Sequence, residues 1–372
     1  MIVKLGSLIS EYSVRNKADE DIPVYSVTNE QGFCTGYFSK EVASQDRTTY
    51  KIVPRGCFAY NPSRINVGSV DVQECEDRVI VSPLYVVFSV NEKLNRRYLL
   101  HYLKSDITLT YIKAYASGSV RDNLKFSILK DFPINLPSAE EQEQIVATLD
   151  GIEHLIALRK KELVSLDELV KSRFVELFGD AKLNPKGYPV KALSEIAEYW
   201  NGLTYKPEDV ADSGTIVLRS SNIQNAQLDF EDIVRVNCKI GDKKFVQKND
   251  ILMCTRNGSA RLVGKVALIQ GLDEPMSFGA FMMIIRSQYY PYLLTFFQTS
   301  AFREQIATGA TTTINQITGN MLNKVVLPVP DIETMNEFAA FCKQTDKSKL
   351  AVKQSLEKLE TLKKSLMQQY FG

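Results

Sequence analysis

Two loops in the sequence interleave Arg and Asn with small residues, and these side chains match the exposed edges of base pairs. Arg donates paired hydrogen bonds to guanine, and Asn exchanges a pair with adenine, in the major groove of DNA. One loop spans residues 60–68, and the other spans residues 255–261 after a short segment at 219–222. The alternative, weighted equally for any single residue, is a polar turn that satisfies its own backbone. The candidate DNA contacts here are Tyr60, Asn61, Arg64, Asn66, Arg219, Asn222, Arg256, Asn257 and Arg261.

A second pair of segments, residues 117–123 and 308–315, combines Gly with hydroxyl and amide side chains. Hydroxyl groups and backbone amides bind phosphate groups, so we expect DNA contacts here as well. Helix capping is the alternative, with Ser119 or Thr312 at the start of the following helix. The candidates in these segments are Ser119, Arg121, Asn123, Thr312 and Asn315.

Motifs for catalysis or metal binding are missing from the sequence. Residues 61–64 share Asn-Pro with the Asn-Pro-Pro-aromatic motif of amino-methyltransferases, but the second proline, the aromatic residue and a preceding G-x-G loop are absent. The two histidines, His101 and His154, have no nucleophile or ligand partner at a recognisable spacing. The six cysteines form no C-x-x-C pair, and no P-loop, H-E-x-x-H or nucleophile elbow occurs. We therefore expect reduced thiols, no metal site and no catalytic residue.

Composition is typical of a globular protein with more than one domain. The 372 residues exceed one ordinary domain, and 44% are hydrophobic. The net charge of +1 argues against a protein that coats nucleic acid by charge alone, so any basic surface must be local. Residues 79–90 are the longest apolar stretch and fall short of the about 20 residues of a membrane span. Residues 1–10 do not resemble a secretory signal, so we expect a cytoplasmic protein with no membrane partner.

An internal repeat organises the chain, because one pattern of segments returns about half a chain later. Residues 3–12 and 190–199 are identical at six of ten positions. Residues 50–60 resemble residues 243–253, and both predict a strand, a tight turn and a second strand, followed by Gly68 or Gly264. Residues 116–118 precede a Leu-Pro pair by the same interval as residues 307–309.

Each repeat ends in a predicted long helix. The first begins after a capping box formed by Ser138 and Glu141 and runs to Gly179; the second spans roughly residues 333–370. Apolar residues recur at intervals of three and four in both helices, with Arg159, Arg173, Lys349 and Lys363 interrupting the stripes. The stripe of the first helix is Ile145, Leu149, Ile152, Ile156, Leu163, Leu166, Val170 and Leu177; that of the second is Phe338, Cys342, Val352, Leu356, Leu359, Leu366 and Tyr370.

Neither helix is stable alone with a bare apolar stripe, so we expect the two to pack as an antiparallel coiled coil on the order of 55 Å long. The predicted fold class is α+β, with two α/β domains separated by two long helices and an internal pseudo-two-fold repeat. The predicted segments are a first domain at 1–137, a helix at 138–179, a second domain at 180–330 and a helix at 331–372.

The repeat and two segments resemble the specificity subunits of type I restriction-modification systems, over essentially the whole chain. Residues 135–145 (Asn-Leu-Pro-Ser-Ala-Glu-Glu-Gln-Glu-Gln-Ile) are similar to the start of that family's central helix, and residues 50–68 are similar to a segment of its first target-recognition domain. Residues 329–337 depart from the pattern, because the family often has Pro followed by Glu-Gln there.

The resemblance implies a non-catalytic subunit that binds double-stranded DNA. Each target-recognition domain would read one half of a bipartite asymmetric site, and the coiled coil would act as a spacer ruler and as a docking platform for two modification (methyltransferase) subunits. Restriction subunits would join them, and S-adenosylmethionine, ATP and Mg would bind these partner subunits and not this chain. The alternatives are the recognition subunit of another multi-subunit modification system, a coiled-coil protein-binding scaffold and an autonomous methyltransferase.

Overall fold

The computed structural model describes residues 1–36, 47–116, 123–307 and 315–372, which form two compact units. The first unit comprises Met1–Lys161 and Val352–Gly372, and the second comprises Glu162–Ala351. Both boundaries fall inside a long helix, so each unit contains one globular domain and one portion of each helix. The division into four segments along the chain stays a prediction. Among the described residues, no helix has the length and hydropathy needed to cross a membrane.

The first unit contains a four-stranded antiparallel sheet in the order β2-β9-β6-β7, with two shorter ladders beside it and β1 paired with β10. Its strands are β1 (Ile2–Lys4), β2 (Ile9–Glu11), β3 (Ser26–Thr28), β4 (Gly32–Cys34), β5 (Lys51–Pro54), β6 (Phe58–Tyr60), β7 (Val70–Val72), β8 (Arg78–Val81), β9 (Val86–Val90) and β10 (Pro133–Asn135). Its helices are α1 (Arg96–Leu103), α2 (Asp106–Ala116), α3 (Phe126–Leu129) and the first part of α4 (Ala139–Phe178).

Aromatic and β-branched residues form this sheet because they fit a pleated, half-buried surface. Phe58 and Phe88 face each other across the β6–β9 pair with ring centroids 5.0 Å apart, and both are fully buried. Helix α1 covers the sheet and begins at Asn95, whose side chain accepts hydrogen bonds from the backbone of Arg97 (2.8 Å) and Tyr98 (3.2 Å).

The second unit repeats the sheet in the order β12-β21-β18-β19, with β11 paired with β22. Its strands are β11 (Val190–Ala192), β12 (Glu198–Asn201), β13 (Val210–Ala211), β14 (Thr215–Leu218), β15 (Ile223–Gln224), β16 (Gln227–Leu228), β17 (Arg235–Val236), β18 (Ile251–Cys254), β19 (Val266–Leu268), β20 (Met276–Phe278), β21 (Met282–Arg286) and β22 (Val326–Pro328). Its helices are α5 (Leu193–Ile196), α6 (Tyr290–Phe296), α7 (Ser300–Ala307), α8 (Gly319–Leu322) and part of α9 (Ile332–Phe371).

The internal repeat is confirmed by the topology and by single hydrogen bonds. Tyr98 in α1 donates from its hydroxyl to the carbonyl of Asn135, the last residue of β10 (2.9 Å). Tyr292, the third residue of α6, donates to the carbonyl of Pro328, the last residue of β22 (2.5 Å). The same side chain thus joins helix and strand in both units, and the predicted fold class is confirmed.

The strand predicted at the start of residues 243–253 is a short 3₁₀ turn (Asp242–Lys244) and a single bridge from Phe245 to Ser277, and that expectation is wrong. Side chains donate hydrogen bonds to the carbonyl groups that would otherwise pair with a neighbouring strand. The Trp200 indole donates to the Lys243 carbonyl (2.7 Å), and the Ser277 hydroxyl donates to the Lys244 carbonyl (2.9 Å). In the first unit, the corresponding β5 and β6 both form.

Both long helices begin at side-chain caps. The Ser138 N–H donates to the Glu141 carboxylate (2.9 Å) and the Glu141 N–H donates to the Ser138 hydroxyl (3.2 Å), which confirms the predicted capping box. Asp331 caps α9 by accepting from the Thr334 N–H (2.8 Å). A helix therefore begins here although residues 329–337 depart from the family pattern.

The two helices run antiparallel within each unit, which confirms the predicted pairing. In the first unit, Glu153 contacts Lys363 (2.7 Å) and Lys160 contacts Glu360 (3.5 Å). Residue numbers therefore rise along α4 while they fall along α9. In the second unit, Asp167 contacts Lys349 (2.6 Å) and Arg173 contacts Glu337, in the same sense.

A buried junction joins α1 to the helix pair in the first unit. The Nε2 atom of His101 lies 2.7 Å from Asp150 Oδ1, and Arg97 donates to the same carboxylate at 2.9 Å. Glu153 lies 3.9 Å from the other ring nitrogen and also pairs with Lys363. Burial lowers the pKa of His101 below its ordinary value, because it disfavours the charged ring more than Glu153 and Asp150 favour it.

This junction predicts a pH-dependent stability. The unfolded chain binds a proton at His101 near the ordinary pKa of about 6.5, whereas the folded chain binds it only at lower pH. Stability therefore falls as the pH decreases through that window. We expect the melting temperature to decrease less between about pH 7.5 and about pH 5.5 in His101→Gln than in the wild type. His154 is exposed and provides the matched control, His154→Gln, which should keep the wild-type decrease in calorimetry. Equal decreases in all three proteins would contradict the assignment.

Candidate nucleic-acid interface

The predicted loop of the first unit connects β6 to β7 at one end of the sheet. Asn61 is half-buried, and its side-chain oxygen accepts from the Ser63 N–H (3.1 Å) and hydroxyl (2.9 Å). A 3₁₀ turn (Ile65–Val67) follows and ends at Gly68, whose φ is +88°. The side-chain oxygen of Asn61 thus forms the turn, as the polar-turn alternative expects.

The predicted loop of the second unit repeats this design. The Asn257 side-chain oxygen accepts from the Ser259 N–H (3.0 Å), and a 3₁₀ turn (Ala260–Leu262) precedes Gly264, whose φ is +78°. This positive φ favours glycine, because side chains strain such a backbone. In each loop the Asn stands seven residues before the glycine (68 − 61 and 264 − 257).

Each unit brings its loop together with the described end of the second predicted segment. In the first unit, the Leu124 N–H, next to Asn123, donates to the Pro62 carbonyl (3.1 Å). In the second unit, Asn315 donates from its side chain to the Gly258 carbonyl (3.2 Å). Ser119, Arg121 and Thr312 lie outside the described residues, so their predicted contacts stay predictions.

A cleft of about 790 Å³ lies beside the loop of the first unit. Its lining residues include Pro62 and Asn123, and also Lys125, Lys130 and Glu11. Two cations and one carboxylate give this lining a positive balance, which suits phosphate groups.

The predicted arginines fall into two groups. Arg64, Arg256 and Arg261 are exposed, and none of them forms an ion pair with any residue in the described ranges. Arg219 instead pairs with Asp232 at 2.7 Å, which neutralises its guanidinium group. The first three therefore keep free donors for a polyanionic partner.

Two predicted contacts are buried, and direct DNA contact by them is corrected to a positioning role. Tyr60 is 0% exposed, and its hydroxyl donates to the Leu124 carbonyl (3.1 Å); burial raises its pKa. Asn222 is 1% exposed, and its amide group donates to the carbonyls of Asp229 and Asp232 (both 2.9 Å). Asn66 is half-buried within the 3₁₀ turn.

Asn257 also holds the second loop in place, because its amide group donates to the Ser220 hydroxyl (3.1 Å). This bond joins the segment at 219–222 to the loop at 255–261. The structure thus brings the two predicted segments of the second unit together, although their most direct link is Ser220, which the sequence pattern did not single out.

One exposed aromatic side chain at this site was missed by the sequence analysis. Phe281 lies in the turn before β21, and the Arg256 guanidinium lies 5.1 Å from its ring centroid. The available signal was an aromatic residue directly after Gly-Ala.

One group of possible metal ligands occurs in the described part of the chain: His101, Asp150 and Glu153, whose ligand atoms lie within 4.8 Å of one another. Arg97 and Lys363 already contact these two carboxylates and supply positive charge there. The arrangement suits a structural junction better than a cation site.

A family model described as the type I restriction modification DNA specificity domain matches residues 6–168 and again residues 185–362. The chain belongs to this family. The two matches coincide with the two repeats, one for each globular domain.

Curated relatives support the same family. The type I restriction enzyme MjaIX specificity subunit of Methanocaldococcus jannaschii is 32% identical over 120 residues, which is 28% of each chain. The putative MjaX specificity subunit of that organism is 26% identical over 208 residues, covering 50% of this chain and 46% of the relative. The matched segments thus span about a quarter and about half of these relatives.

Two solved structures share the fold across the whole chain. A chain from a study of complex assembly and conformational transition of the type I R-M system gives a TM-score of 0.60 at 18% identity, covering 100% of this chain and 97% of that one. The type I restriction-modification S subunit from M. genitalium gives 0.58 at 14% identity, covering 100% and 96%.

The free arginines predict which substitutions weaken DNA binding. We expect Arg64→Ala and Arg256→Ala each to weaken binding of a duplex that carries the recognised site by about 1–3 kcal/mol, because each removes a guanidinium group that is predicted to contact a base edge. Arg219→Ala is the matched control; its guanidinium group is already paired with Asp232, so a smaller loss is expected. Competition binding at fixed salt measures this. Equal losses on specific and nonspecific duplexes would assign these residues to phosphate contacts.

Proposed function

We propose that this chain is the sequence-specific DNA-binding subunit of a type I restriction-modification complex. The observation that carries the proposal is the pair of equivalent loops, one per repeat, in which an Asn side chain forms the turn and exposed arginine side chains stay unpaired within the described residues. Two copies of one fold would read two half-sites, as a bipartite site requires. The chain itself supplies DNA contacts and no chemistry.

Differences between the two loops support an asymmetric site. Tyr60 pairs with Val70 in the first sheet, and Met253 pairs with Val266 in the second. By the strand bounds, nine residues (70 − 60 − 1) connect β6 to β7 in the first unit and eleven (266 − 254 − 1) connect β18 to β19 in the second. The longer loop contains Arg256, so the two domains present different donors to DNA.

The paired helices act in this proposal as a spacer ruler. Each is 40 residues long, which corresponds to about 60 Å at the rise of an α-helix. Half-sites on one side of a duplex lie about 34 Å apart per helical turn. The length of each helix thus exceeds the distance of one helical turn of DNA, as a spacer ruler requires.

Modification subunits dock on the long helices in this proposal and supply adenine methylation with S-adenosylmethionine. Restriction subunits add ATP-driven translocation and Mg-dependent cleavage. Exposed apolar residues on both helices support a docking role, since large apolar side chains on a solvent face are costly unless a partner covers them. They are Leu155, Leu158, Leu169, Val175, Leu350 and Leu362. The complex would act in the cytoplasm, where its DNA substrate lies.

Methylation mapping tests the proposal directly. The chain is co-expressed with its modification subunit in a host without methylation, and modified adenines are located by single-molecule sequencing. We expect a motif of two defined parts separated by a fixed gap. A stable complex with a single contiguous motif would contradict the two-domain reading, and failure to form a complex would favour a protein-binding scaffold.

Lengthening both helices tests the ruler. Four residues inserted after Lys161 and four inserted after Ala351 each add about 6 Å of helix, which corresponds to about two base pairs at 3.4 Å per pair. We expect the gap in the methylated motif to increase by one or two base pairs while both half-sites stay the same. The control is the same insertion after Asp212, in an exposed loop of the second unit, which should leave the gap unchanged. An unchanged gap in the helix variant would contradict the ruler.

A further inference from the structure

One position in the sheets carries an exposed large apolar side chain in both units. Tyr60 pairs with Val86, and its counterpart Met253 pairs with Met283. The residue two positions before Val86 is Leu84, and the residue two positions before Met283 is Phe281, so Leu84 and Phe281 occupy equivalent positions. Leu84 is 77% exposed and Phe281 is 58% exposed. A single exposed apolar residue is ordinary, but here the same register position is exposed and apolar in both repeats.

These side chains stand at the same end of each sheet as the predicted loops. In an antiparallel pair, the end of one strand lies beside the start of its partner. The first loop begins where β6 ends, at Tyr60, and Leu84 precedes the start of β9. The second loop begins where β18 ends, and Phe281 precedes the start of β21. Each apolar side chain therefore lies next to the base of its own loop.

The backbone beneath each side chain is held firmly. The Phe281 carbonyl accepts from the N–H (2.9 Å) and hydroxyl (2.9 Å) of Thr255 and from the Arg256 N–H (3.2 Å). In the first unit, Leu84 lies between Pro83 and Tyr85. The Tyr85 backbone N–H donates to the Ser82 carbonyl (3.0 Å), and the Tyr85 carbonyl accepts from Lys51 Nζ (2.7 Å). A side chain on a fixed backbone loses little conformational entropy on binding.

The chemistry of the surroundings selects the ligand. The guanidinium group of Arg256 covers one face of the Phe281 ring at 5.1 Å, and Arg256 has no acidic partner within the described ranges. Because one face of the Phe281 ring is covered, insertion of the ring between stacked bases is disfavoured. The edge of the ring stays free for contact in a groove. In the major groove, the apolar feature that distinguishes base pairs is the 5-methyl group of thymine.

We propose that Leu84 and Phe281 are the apolar contacts by which the two domains recognise a thymine 5-methyl group, one in each half-site. In the second unit, Arg256 donates to a guanine next to that thymine while it stacks on Phe281. This inference rests on the proposed DNA-binding function and adds to it the residues that select thymine.

The test uses the complex of the full chain with its modification subunits and duplex oligonucleotides that carry the mapped motif. Each thymine is replaced singly by deoxyuridine, which lacks only the methyl group. In the wild type, one replacement in each half-site should weaken binding about fourfold, which is the contribution of one buried methyl group. In Phe281→Ala, thymine and deoxyuridine should bind equally in one half-site while the other half-site keeps its preference. Leu84→Ala should show the converse, so each variant is the control of the other.

Retention of the wild-type thymine preference at every position in both variants overturns the inference. An equal loss of affinity for thymine and deoxyuridine duplexes also overturns it, because the ring would then contact sugar or stacked bases. These outcomes are separate from failure of the proposed function, which would appear earlier as the absence of a methylated two-part motif.

Discussion

The packing of the two long helices on each other and on the globular domains is the constraint on which each unit depends. In the first unit, Leu149 of α4 and Phe371 of α9 belong to the buried cluster that contains the sheet residue Phe88. In the second unit, Phe178 of α4 and Phe338 of α9 pack on Tyr292, with centroids 4.8 Å apart for Phe178 and Tyr292. Loss of one such buried ring costs about 3–5 kcal/mol, a large part of the stability of a domain. Each domain therefore depends on both helices, and the helices cannot separate without exposing its core.

Charged residues within the apolar stripes define how the helices pair. Lys349 packs its stem in the stripe of α9 and reaches Asp167 at 2.6 Å, and Lys363 reaches Glu153 at 2.7 Å. A shift of either helix by one turn would separate these partly exposed pairs, at a cost of about 1 kcal/mol or less for each. Leu and Ile alone would tolerate such a shift, because their contacts have little directional preference. The interruptions in the stripe thus specify the register that the apolar residues stabilise.

Features controlled by local chemistry could be predicted from the sequence, and features controlled by distant contacts could not. The capping box at Ser138 and the loop closure at Gly68 depend on residues within a few positions, so their pattern is visible in the sequence. Asn222 was predicted as an exposed DNA contact, but its burial depends on the carbonyls of a loop seven to ten residues away. The predicted strand at residue 243 is missing because Trp200, more than forty residues earlier, takes the carbonyl that the strand would use. Phe281 was missed because exposure of an aromatic residue depends on which neighbours fail to cover it.

Some residues of the candidate site form the turns and stabilise the fold, whereas others contribute little to stability. Asn61 and Gly68, with their counterparts Asn257 and Gly264, form the turns, and their side chains or backbone angles are already committed to the fold. Arg64 is exposed and unpaired within the described ranges, so its replacement leaves the folded state almost unaffected, typically within about 0.5 kcal/mol. In the proposed function, stability and recognition reside in different side chains, so the loop could change the DNA sequence that it reads while the frame beneath it stays intact. The two units already illustrate this separation, since one frame supports a nine-residue connection in the first and an eleven-residue connection in the second.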